Sequence, residues 1–118
     1  MHELVNATEQ PSRNIAAVAA REENPAEYMY ERMLQMIEAH QDRLPEDYEL
    51  GVQVIGGGAP PFHLRQISYS NPDILIFLGK DSDGNIVQLM QHHTQMSVVL
   101  LSMPKLEEKP YRVGFTAK

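Results

Sequence analysis

"NPDILIFLGKDSDGNIVQLMQHH", residues 71–93, decides the fold. Ile74 to Leu78 form an unbroken apolar run, too short for a helix of ordinary length and suited to a central strand covered on both faces. Asp81 to Gly84 then spell a turn, and Ile86 to His92 resume as a second strand. Two strands joined by so tight a turn pair antiparallel. The hairpin predicts a sheet built mostly of neighbours in sequence.

Working outward, "YELGVQV" before three glycines alternates with period two, Leu50, Val52 and Val54 on one side. "FHLRQISYS" follows two prolines that mark a connection or a sheet edge. After the hairpin, "TQMSVVLLSM" is apolar and β-branched and reads as strand or helix, since period alone does not decide a run of this length. "PYRVGF" offers a short last strand, with Tyr111, Val113 and Phe115 on one face.

Ahead of these strands the period is 3.6. Ala26, Met29, Tyr30, Met33, Leu34 and Ile37 recur at spacings of three and four, one broad apolar stripe. Asn24 stands at the N-cap, Pro25 at the first helical position and Glu27 three residues after the cap, a capping-box spacing. The helix should stop before Pro45. The expected fold is α+β: a flexible acidic arm over residues 1–23, then one domain over 24–118. That domain holds one amphipathic helix and five or six short, mostly antiparallel strands.

Charge is unevenly spread. Residues 1–49 carry eleven acids and four bases, whereas residues 50–118 carry five acids and six bases. Phosphate backbones are held by clustered Lys and Arg, and no such cluster exists, so long nucleic acid is a poor partner. A small nucleotide needs only one or two cations and fits this balance. The acidic N-terminal half suits a basic protein surface. With no cysteine in the chain, disulfides and thiolate metal sites are excluded. No run approaches the roughly 18 apolar residues of a membrane span, and no basic start precedes an apolar stretch as in a signal peptide. A cytoplasmic protein without membrane contact is the default expectation.

Chemistry-bearing residues are few. His92 and His93 are adjacent, so on a regular strand their side chains face opposite sides of the sheet, unless a bulge or helical turn intervenes. No HxH or HExxH spacing is present, and no Ser-His-Asp pattern stands beside them, so neither a metal nor a catalytic residue is assigned. No cofactor is expected. "IGGGAPPF" lacks the spacing of a phosphate loop and reads as a turn. "DSDGN" lacks the acid at the twelfth position of a calcium loop, where His92 stands. Arg65, set in a predicted strand near His63, Gln66, Gln88 and Gln91, is chemically able to grip a carboxylate or phosphate. Arg65, Gln88, His93 and His63 are therefore the candidate ligand-binding residues.

"NPAEYMYERM" (24–33) and "VQLMQHHTQMSVVLLSMPK" (87–105) resemble an uncharacterised bacterial and phage-borne family, the domain of unknown function 6173 family, over about residues 24–115. That family implies no activity. In architecture, a helix followed by five short bent strands is similar to the Sm-like fold, including the bacterial host-factor RNA chaperone. Residues 73–93 stand where that family has its third and fourth strands, and "QLMQHH" resembles its "QLVYKH" stretch. The chain departs from it near Gln66, where a glycine is expected, and at Asn71-Pro72, where an aromatic–Asp pair is expected. The basic rim is also missing. The resemblance implies rings joined edge to edge through the last two strands, with nucleotide contacts at Gln88 and His93.

Three readings follow. The first is a small acidic, non-enzymatic module that self-associates and works by protein–protein contact, as an inhibitor or adaptor does. The second is a ring holding a nucleotide or short RNA through Arg65, Gln88 and His93. The third is an enzyme in which two of His63, His92 and His93 converge on a carboxylate.

Overall fold

The computed structural model describes residues 18, 19 and 21–114. Of the arm expected over residues 1–23, residues 18, 19 and 21–23 are helical, and the remainder lies outside the described residues. Helix α1 (Pro25–Gln41) follows, with Pro25 at its first position, and ends ahead of Pro45 as expected. It buries Ala26, Met33 and Ile37, the centre of the stripe. The capping box does not form. Asn24 makes no side-chain cap bond. The Pro72 carbonyl accepts from the Ala26 N–H at 2.9 Å, and Glu27 Oε1 accepts from Asn71 Nδ2 at 3.1 Å. The turn before the third strand thus satisfies a free N–H of the helix start, and a side-chain cap is dispensable there.

Five strands follow: β1 (Tyr48–Val54), β2 (Phe62–Ser70), β3 (Ile74–Lys80), β4 (Ile86–His92) and β5 (Val98–Pro104). They form one sheet in the order β4-β3-β2-β1-β5, every neighbouring pair antiparallel. The fold is α+β. A short 3₁₀ turn (His93–Gln95) links β4 to β5, which settles the ambiguous run after the hairpin as turn and then strand. Residues 111–114 form no sixth strand, and Phe115 lies outside the described residues. Their backbone bonds to side chains instead, Tyr111 N–H to Glu49 and Val113 to Gln41.

The core lies between α1 and one face of the sheet. Leu50 and Val52 from β1, Phe62, Leu64 and Ile67 from β2, and Leu75 and Phe77 from β3 meet Met33 and Ile37. β3 is covered less evenly than its sequence suggests. Leu75 and Phe77 are buried, whereas Ile74, Ile76 and Leu78 on the opposite face are only half-buried. This strand, apolar on both sides, therefore keeps one side partly wet.

Two irregularities interrupt the ladders on either side of β2. β1 and β2 pair at only two positions, Gly51 with His63 and Val52 with Phe62. The β2–β3 register then shifts between Leu64 and Gln66, leaving Arg65 as an extra, unpaired residue. Such a bulge bends its strand and re-aims a side chain. Here it accompanies the end of the short β1–β2 ladder.

Candidate functional site

Glu49 sits on the face of β1 opposite Leu50, yet it is 1% exposed. An ionised carboxylate at such a place must be paired and hydrogen-bonded. Three groups do this. His63 Nδ1 lies 2.6 Å from Glu49 Oε2, Arg65 Nη1 lies 3.3 Å from the same oxygen, and the Tyr111 N–H donates to Oε1 at 2.8 Å. Burial pushes the Glu49 carboxyl up, but the Tyr111 N–H, the Arg65 guanidinium and His63 together outweigh it and hold the carboxyl below its usual range. An ionised carboxylate only accepts, so Nδ1 of His63 carries the shared proton.

Strand parity brings these residues together. His63 opposes Gly51 on the neighbouring strand, two residues along from Glu49. Arg65 is two residues from His63 and reaches the same oxygen. Its guanidinium also covers the Tyr111 ring, 4.6 Å from the centroid. Beside it opens a cavity of about 310 Å³, lined by Tyr30, Leu34, Arg65, Gln66, Ile67 and Val113 among others. Gln41, on the last turn of α1, brackets Val113, one of the lining residues. Gln41 Oε1 accepts from the Val113 N–H at 2.7 Å, and Nε2 donates to the Val113 carbonyl at 3.2 Å.

Of the four candidate residues, His63 and Arg65 meet at Glu49. Gln88 is exposed on β4, opposite Leu78, which in turn opposes Gln66. At about 4.8 Å per strand, that leaves Gln88 on the order of 10 Å from Gln66. His93 begins the 3₁₀ turn at the other end of β4. Five residues at about 3.3 Å each separate it from Gln88 by roughly 16 Å. Arg65, Gln88 and His93 are therefore not gathered around one point, and the Arg65 guanidinium is already turned to Glu49 and Tyr111.

The adjacent histidines do not face opposite sides of the sheet. β4 ends at His92 and the chain turns at once into the 3₁₀ segment, so the two rings stack with centroids 4.8 Å apart. His92 Nδ1 lies 2.8 Å from Thr94 Oγ1 and accepts from the Thr94 N–H at 3.3 Å, while Nε2 lies 3.5 Å from Asp73 Oδ2. Asp, His and Thr are in line, but His92 and Asp73 are both substantially exposed. The Thr94 contacts are those of a cap on the turn. No group of three His, Cys, Asp or Glu is placed to hold a metal ion among the described residues. Nor is any described helix long and apolar enough to cross a membrane.

Sequence reasoning passed over Glu49, Gln41 and Tyr111. One signal for Glu49 was present. Apart from Lys80 at the end of β3, Glu49 and Arg65 are the only Asp, Glu, Lys or Arg within the strands. A lone acid and a lone base on successive strands make a pairing worth looking for. Gln41 carried no such mark, because a glutamine at a helix end is ordinarily solvated.

No family model, no curated protein and no solved structure matches the chain.

Proposed function

We propose that the chain is a small non-enzymatic binding module that self-associates through its sheet edges and acts by protein–protein contact. The observation that carries this reading is the pair of open edges. β4 and β5 lie at opposite ends of the strand order, each paired on one side only. Ile86 and Met90 on β4 are 68% and 63% exposed, and Val99 on β5 is also exposed. A bare edge carrying apolar side chains is a template for another strand, and natural proteins cover it or blunt it. A second copy covers it when β4 of one subunit meets β5 of the next. That contact is heterologous and closes into a ring if the rotation per subunit permits.

Support also comes from the strand order, which separates the last two strands as the Sm-like resemblance implies. The acidic half, with eleven acids against four bases over residues 1–49, then gives the assembly a surface for a basic protein partner. Inhibitor and adaptor are the roles such a module fills, in a bacterial cytoplasm, whether encoded by the bacterium or by a phage.

Lysine at the exposed edge positions tests the reading. Ile86→Lys with Val99→Lys should leave the circular dichroism spectrum unchanged and lower the native mass to that of one chain. An oligomer that persists unchanged in this variant would sink edge pairing.

A further inference from the structure

Residues 111–113 are held to the body of the fold by groups that read main chain. Glu49 accepts from the Tyr111 N–H, and the Gln41 amide bonds both the N–H and the carbonyl of Val113. Both receptor side chains are nine-tenths or more buried, Glu49 at 1% and Gln41 at 9% exposure. The Val113 side chain is buried in the core, and the Tyr111 ring lies under the Arg65 guanidinium. Receptors hold extended peptides in this manner, with main-chain bonds for affinity and separate seats for alternate side chains.

The connection to this seat is held far less well. Residues 105–110 contain no helix or strand and run from Pro104 to Pro110. Their side-chain anchors are the Lys105–Asp47 pair at 3.2 Å and the Lys80–Glu107 pair at 3.5 Å, with Asp47 and Glu107 well exposed. Exposed pairs of this kind add little stability, because water screens them and ordering two long side chains costs entropy. A backbone bond from the Lys105 N–H to the Asp47 carbonyl adds a single tether at the start of the connection.

We propose that the seat made by the Gln41, Glu49 and Arg65 side chains is a strand-receiving site, and that in the assembled protein its occupant is residues 111–113 of a second copy. The exchange rests on the self-association proposed above and adds a contact that edge pairing does not use. Every bond of the seat is made equally by a segment arriving from a neighbour, so only the path of the weakly held connection changes. That connection starts from β5, an open edge where a neighbouring subunit would lie. Each subunit's site is then completed by Tyr111 and Val113 of the next.

The absence of cysteine makes the test direct. Leu34 and Gly114 line the same cavity, and a Cβ added at Gly114 meets nothing within 4 Å. The full-length Leu34→Cys, Gly114→Cys variant is oxidised, run on a non-reducing gel and mapped by mass spectrometry. A bis-maleimide of longer reach is used in parallel in case the disulfide geometry is not met. Exchange gives mostly inter-chain products joining Leu34→Cys of one copy to Gly114→Cys of another. Intra-chain links alone, or no inter-chain product with either reagent, overturn it. Tyr30→Cys with Gly114→Cys replaces the pair if the first variant does not fold. Light scattering on the same samples separates the two proposals. An oligomer with only intra-chain links refutes the exchange and leaves self-association standing, whereas a monomer refutes both.

Discussion

His63 Nδ1 and Glu49 Oε2 lie 2.6 Å apart, and both residues are buried. This contact ties β2 to β1 beside the two-position ladder between those strands. Through the other oxygen of the same carboxylate it also ties down Tyr111, 62 positions along the chain from Glu49. One side chain therefore links two adjacent strands and the C-terminal segment.

Removing the Glu49 carboxylate should be costly. Glu49→Ala strips the partner from His63 and Arg65 and leaves the Tyr111 N–H without its acceptor. Breaking a buried ion pair costs about 3–5 kcal/mol, and the partial exposure of Arg65 holds the loss toward the lower end, roughly 3 kcal/mol. Urea denaturation measures it as a lower midpoint with little change in slope.

The same carboxylate sets an acid limit. Its pKa in the folded protein is held below the unfolded value of about 4.3. The stability it contributes is thus fully present above that value and is lost as pH falls through the folded pKa. Urea midpoints should decline from about pH 4 downward. In Glu49→Gln, that part of the decline should be absent, at the cost of a lower plateau near neutrality.

Gln41→Ala tests the far end of the segment. Two hydrogen bonds to Val113 disappear, and the Val113 N–H and carbonyl lose their partners. The expected loss is about 2 kcal/mol, from the desolvation cost of groups left unpaired. In hydrogen exchange the amides of Tyr111 and Val113 should lose protection first, with those of β3 little changed. Uniform loss over the sheet would show instead that Gln41 supports the whole core.

How much of this was legible in the sequence varies by element. The stripe from Ala26 to Ile37, the tight Asp81–Gly84 turn and the alternation in "YELGVQV" each follow from a local period or a local turn chemistry, and each appears as expected. Elsewhere the local signal leaves alternatives that other contacts decide. The capping box gives way to Pro72, the optional sixth strand gives way to Gln41 and Glu49, and the helical turn that the paired histidines allow for is present as a 3₁₀ segment. Partners 46, 62 and 72 positions apart in sequence decided the first two. No local pattern encodes a contact of that kind. Arg65 and His63 stand out in the sequence by their chemistry, but the acid that joins them looks there like one more charge in an acidic half.

The open edges of β4 and β5 carry the central claim, and the mass of the protein in solution tests it most directly. Light scattering behind a sizing column, across a wide range of concentrations, should return a stable multiple of the 13.4 kDa chain. A single-chain mass at every concentration, with no partner added, would contradict it.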